Sequence, residues 1–221
     1  MRNVTTPVSR SVVKHIKAYS EMIIPEFRVS YGDLLVIVTT YERTLQDSLQ
    51  EIKATYNTLS QTIRISVVVP YDITGSWLAE FVPRFKRSLR HEFEHYRQHQ
   101  RSGNHLGGAM VPHTTVEGHI PGNPIQGPWT TVLMAARYLL NPLEIEAHVV
   151  GMKMEAQTRR VAFSKVLAET LQKIHGNFLE LDFSASSSNY LIYQVYQTWG
   201  FYALKRFPSL RKKRLDSANK N

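Results

Sequence analysis

Between residues 76 and 100 the apolar side chains Leu78, Phe81, Val82, Phe85, Leu89, Phe93 and Tyr96 recur at intervals of three and four. A helix brings residues so spaced onto one side, so about seven turns with one buried face are expected here. Pro83 either kinks this helix or starts its main segment. The rest of the chain must supply a surface for the helix to cover, and the residues just before it do so. Thr62–Val69 alternates and then turns wholly apolar (Ile63, Ile65, Val67, Val68, Val69), which predicts a strand that Pro70 ends. Residues 26–41 are β-branched and aromatic, with a break at Tyr31-Gly32-Asp33, and predict two short strands joined by a turn. Residues 7–23 predict a first helix with Val12, Val13, Ile16 and Tyr19 on one stripe, and residues 45–52 an ambiguous segment, read as a short helix.

Downstream, glycines and prolines crowd residues 102–128, marking a long irregular segment of the kind that often carries function. Residues 129–140 read as a helix. Asn141-Pro142 caps and starts another, expected to run to about His175 with Gly176 at its C-cap. Residues 187–207 form a last, aromatic-rich helix. No internal repeat is present. Strands followed by helices predict an α+β fold, in which a small, mostly antiparallel sheet packs on the helix of residues 76–100, with the helix after Pro142 beside it. At 221 residues and 43% hydrophobic, the chain can bury a sizeable core. One domain is expected over residues 1–207, followed by a tail over 208–221.

The chemistry gathers in His91-Glu92-Phe93-Glu94-His95. Histidines four apart on a helix lie one turn apart on one side, where two imidazoles can clasp a metal ion. They point away from the Leu89, Phe93, Tyr96 stripe and so are expected to face a cleft. Glu92 would lie beside the ion without ligating it, placed to take a proton from a water molecule and return it to a leaving amine. The competing interpretation is two solvated histidines on a charged helix, since Arg84, Lys86, Arg87 and Arg90 precede them and Arg97 and Arg101 follow. The chain has no cysteine, so a zinc ion here must be held by His, Asp or Glu. A catalytic zinc needs a third protein ligand and an open position. Glu144 is the first candidate and Glu146 the second. His148, one turn after Glu144, would orient a ligand. Asn141-x-x-Glu144 is also a capping-box pattern, in which Glu144 would only tie down a helix start. His99, His105, His113 and His119 offer a histidine ligand or a second site. Tyr138 and His148 are candidates to stabilise an oxyanion.

His91-Glu92-x-x-His95 followed by Glu144-x-x-Ala147 resembles the gluzincin branch of the zincin metallopeptidases, and the layout is similar to small zincins of phages and other mobile elements. The resemblance covers roughly residues 62–160. It implies one zinc per chain held by His91, His95 and Glu144, with Glu92 as general base, and hydrolysis of a protein or peptide that adds as an extended strand to a sheet edge. Two departures stand out: many relatives have Asp or Asn at the place of His148, and the interval between His95 and Glu144 is long. The metzincin pattern is disfavoured, because it needs Gly at Gln98 and His at Arg101.

The charge is unevenly placed. Residues 205–221 hold seven basic residues against one acid, a net +6 of the chain's +9. Such a tail suits nucleic acid, an anionic membrane or an acidic partner, or is a solvated terminus. The alternative to a peptidase is therefore a virion or nucleic-acid-associated protein that keeps a zincin scaffold without the activity. No stretch is long and apolar enough for a transmembrane helix, and residues 1–27 carry no secretory signal. A cytoplasmic place in the host or producing cell, or in a virion, is expected.

Overall fold

A computed structural model describes residues 5–18, 26–42, 52–70, 73–102, 128–180 and 183–210. Among these the fold is α+β, with a four-stranded sheet and six helices. The chain divides into two compact units, residues 1–118 and 119–221.

In the first unit, helix α1 (Thr5–Ala18) precedes strands β1 (Glu26–Tyr31) and β2 (Leu34–Glu42). These two strands pair antiparallel through the two-residue turn Gly32-Asp33. Gly32 has φ +58°, as the first central residue of a type II′ hairpin turn requires, and a side chain there would be strained. Strands β3 (Ile52–Asn57) and β4 (Thr62–Val69) form a second hairpin. Asn57 Oδ1 accepts from the Ser60 amide at 2.9 Å and holds its turn. The sheet order is β1-β2-β4-β3, and β2 pairs parallel with β4. The sheet is thus mixed: two of its three pairings are antiparallel, and the central one is parallel.

The register sets Val36 beside Ile63 and Val38 beside Ile65. With Leu34 and Val67 these side chains form one apolar face, packed in a single core with Val8, Val12 and Ile16 of α1. The same core holds Phe81, Phe85, Leu89 and Phe93 of helix α2 (Gly75–Arg101), four of the seven residues in the apolar stripe. Thr74 caps α2, its side chain accepting from the Trp77 amide. The helix runs unbroken through Pro83, so Pro83 does not start it. Pro83 lies in the third turn, and the buried phenylalanines on either side hold the helix across the missing hydrogen bond.

The second unit is helical: α3 (Pro128–Leu139), α4 (Pro142–Arg159), α5 (Phe163–Glu180) and α6 (Ala185–Arg206). The long helix expected from Pro142 to His175 is in fact two. Arg160 takes a left-handed conformation (φ 56°) and ends α4, with the Val161 amide donating to Ala156 O at 3.0 Å. Gly176 lies inside α5, which continues far enough to bury Phe178, so Gly176 is not a C-cap. Trp199 of α6 is fully buried at the centre of this core, and its indole donates to Leu139 O at 2.8 Å. Phe207 and Leu210 pack on the same core, so ordered packing continues past Pro208. The segments 19–25, 45–51 and 103–127 lie outside the described residues, as does the basic run 211–221.

Candidate metal centre

Helix α2 sets the first half of the site. His91 and His95 are both buried, at 9% and 3% exposure. Their Nε2 atoms stand 3.1 Å apart. Two histidines on one tetrahedral zinc, each about 2.05 Å from the ion, would hold their nitrogens about 3.3 Å apart. The pair therefore already has a spacing that a shared cation accepts. His95 Nδ1 lies 2.9 Å from Gln98 Oε1. An amide oxygen only accepts, so Nδ1 carries the hydrogen and Nε2 presents its lone pair toward His91. Gln98 thus fixes the ring and tautomer of His95, the service that a carboxylate or carbonyl gives to many metal-bound histidines.

The two glutamates between the histidines have different surroundings. Glu92 Oε1 lies 3.9 Å from His91 Nε2, beside the nitrogens that would face a metal. Glu94 is fully buried and receives Arg90 at 3.1 Å, Arg97 at 3.1 Å and Arg101 at 3.2 Å. Three guanidiniums on one carboxylate make Glu94 an anchor for the helix surface and leave Glu92 as the carboxylate beside the histidines. The same contacts give these arginines a structural partner in place of the purely solvated charged face.

Helix α4 carries the second set of candidates. Glu144, in its first turn, is 1% exposed. Asn141 caps the helix by accepting from the Leu143 amide at 2.9 Å. The Asn141 amide itself donates to Tyr138 O at 3.1 Å, so the return arm of a capping box is taken by the backbone. Glu144 and His148 offer ligand atoms within 4.8 Å of each other. The His148 ring stacks on Trp199 at 4.7 Å and meets Tyr138 edge-on at 5.7 Å. Glu146 instead faces Arg206, at 3.9 Å.

His99 bonds Tyr56 of β3, Nδ1 to hydroxyl, at 3.0 Å inside the first core. Burial, with Tyr96 nearby, pushes the Tyr56 hydroxyl up to about 12. This contact ties the end of α2 to the sheet and accounts for His99 structurally. His105, His113 and His119 lie outside the described residues.

Sequence reasoning singled out His91, Glu92, His95, Glu144 and His148 but missed two partners. Gln98, treated only as a departure from another pattern, stands three residues after His95 on the same side of the helix, and that spacing was the available signal. Strand β3 and its Tyr56 do not follow from the helical reading of residues 45–52, whose last residue, Ile52, begins the strand. The alternation of Ile52, Ala54 and Tyr56 was the sign of a strand. Comparison with family models, with curated proteins and with solved structures finds no match for the chain.

Proposed function

We propose that the chain is a zinc-dependent metallopeptidase, with one zinc held by His91, His95 and Glu144 and with Glu92 as general base. The observation that carries this reading is the buried histidine pair, its Nε2 atoms 3.1 Å apart and His95 oriented by Gln98. Zinc bound there would polarise a peptide carbonyl and make a water molecule more acidic. Glu92, beside His91 Nε2, would take a proton from the attacking water on a carboxylate oxygen and deliver it to the nitrogen of the leaving amine. Glu144 supports the ligand assignment by its burial and by the backbone satisfaction of the Asn141 amide. Glu146 supports it less, because its carboxylate is turned to Arg206. The substrate would be an extended peptide added at a sheet edge, and β1 and β3 are the two edges.

The test is hydrolysis of a mixed set of internally quenched peptides by the zinc-loaded chain and by Glu92→Gln. The account expects cleavage by the parent, and for Glu92→Gln full zinc content with cleavage reduced by about 10²-fold or more. A parent that holds zinc and cleaves nothing would favour the second reading, a nucleic-acid-associated or virion protein on a metal-bearing scaffold. The absence of any acid on α6 favours that reading independently.

A further inference from the structure

Helix α4 repeats, with other side chains, the spacing that sets His91 and His95 on α2. Glu144 and His148 are four apart, so they lie one turn apart on one side of the helix. A carboxylate oxygen of Glu144 and a ring nitrogen of His148 stand within 4.8 Å of each other. Two donors on one tetrahedral zinc stand about 3.3 Å apart. Closure by at most about 1.5 Å therefore brings both onto one ion, and a turn of the Glu144 side chain supplies that movement.

The imidazole is held in place by its neighbours. Its face stacks on Trp199, with centroids 4.7 Å and planes 20° apart, and Tyr138 meets it edge-on at 5.7 Å. Trp199 is itself fixed, since it is fully buried and its indole donates to Leu139 O at 2.8 Å. Trp199 thus sets the plane in which both ring nitrogens of His148 lie. A ring held this way loses little further freedom when a metal binds it. A phenylalanine would serve the aromatic stack as well, so packing alone does not call for a histidine here. Glu146 faces Arg206 at 3.9 Å, which leaves Glu144 and His148 as the donor pair of this segment.

We infer that His148 is itself a ligand of the zinc, beside His91, His95 and Glu144, and does not merely orient one of them. The inference rests on the zinc site proposed for those three residues. Each of two helices then supplies a pair of donors one turn apart, and a neutral imidazole suits zinc. With four protein donors, the water enters as a fifth ligand, a coordination number that catalytic zinc can reach.

The test is X-ray absorption at the zinc edge of the zinc-loaded full-length protein, in which outer-shell scattering counts imidazole ligands. The parent should show three imidazoles and His148→Phe two, with far-UV circular dichroism unchanged because Phe keeps the stack on Trp199. In competition with a chelating dye, His148→Phe should hold zinc about 100-fold or more weakly, where loss of an orienting neighbour costs about 10–100-fold. His148→Ala, which cannot crowd the site, should repeat both results. Two imidazoles in the parent would overturn the inference and leave the three-ligand site standing. So would three imidazoles in the parent and in either variant, which would assign the third to another histidine. A parent that takes up no zinc would remove the metal reading itself, and this inference with it.

Discussion

Gln98 shows how much one neighbour decides about a histidine. With the amide oxygen 2.9 Å from Nδ1, His95 is held in the tautomer that presents Nε2 to His91. Gln98→Leu should therefore weaken zinc binding by about 10–100-fold in competition with a chelating dye while leaving both ligands in place. Unchanged affinity would mean the contact is incidental. The same assay separates the two glutamates of α4: Glu144→Ala should lose affinity and Glu146→Ala should not. The reverse result would make Glu146 the ligand. Tyr56 makes a prediction of a different kind. Its folded-state value of about 12 stands above the unfolded 10, so the folded chain keeps this proton to higher pH. Its stabilising contribution is complete below pH 10 and is lost as pH rises toward 12. Tyr56→Phe should remove that part of the pH dependence in urea unfolding, and a curve with unchanged slope would contradict it. At this scale the histidines and Glu92 were legible because helical spacing alone puts them together. Glu94's role was not, because the pairing with Arg90, Arg97 and Arg101 depends on which side of α2 is covered.

Periodicity found the elements that bury one face and misjudged those whose ends depend on backbone conformation. β4 and the apolar stripe of α2 follow from their own patterns. The break between α4 and α5 does not, because the residue that ends α4 is an arginine in a conformation usually given to glycine. This yields a test by sign. Arg160→Gly relieves about 1–2 kcal/mol of left-handed strain and costs about 0.5–1 kcal/mol of extra unfolded-chain freedom, so stability should rise by about 0.5–1 kcal/mol in urea unfolding. Were the helix continuous through residue 160, the same change would cost about 1 kcal/mol. The parallel pairing of β2 with β4 was equally hidden, since β3 intervenes in sequence and lies on the far side of β4.

At the scale of the molecule, each unit has its own core, one built on the sheet with α1 and α2 and the other on Trp199 with its helices. No described helix is long and apolar enough to cross a membrane. Leu210 packs on the second core, so a chain ending after Leu210 should keep the parent's melting temperature in calorimetry. A large drop would place part of the basic run within the folded structure. The central claim is the metal, and elemental analysis tests it most directly. The mildly purified parent, reconstituted with zinc and freed of excess, should hold one zinc per chain, and His91→Ala and His95→Ala should each hold far less. A parent that stays well below one zinc per chain after reconstitution would contradict the account.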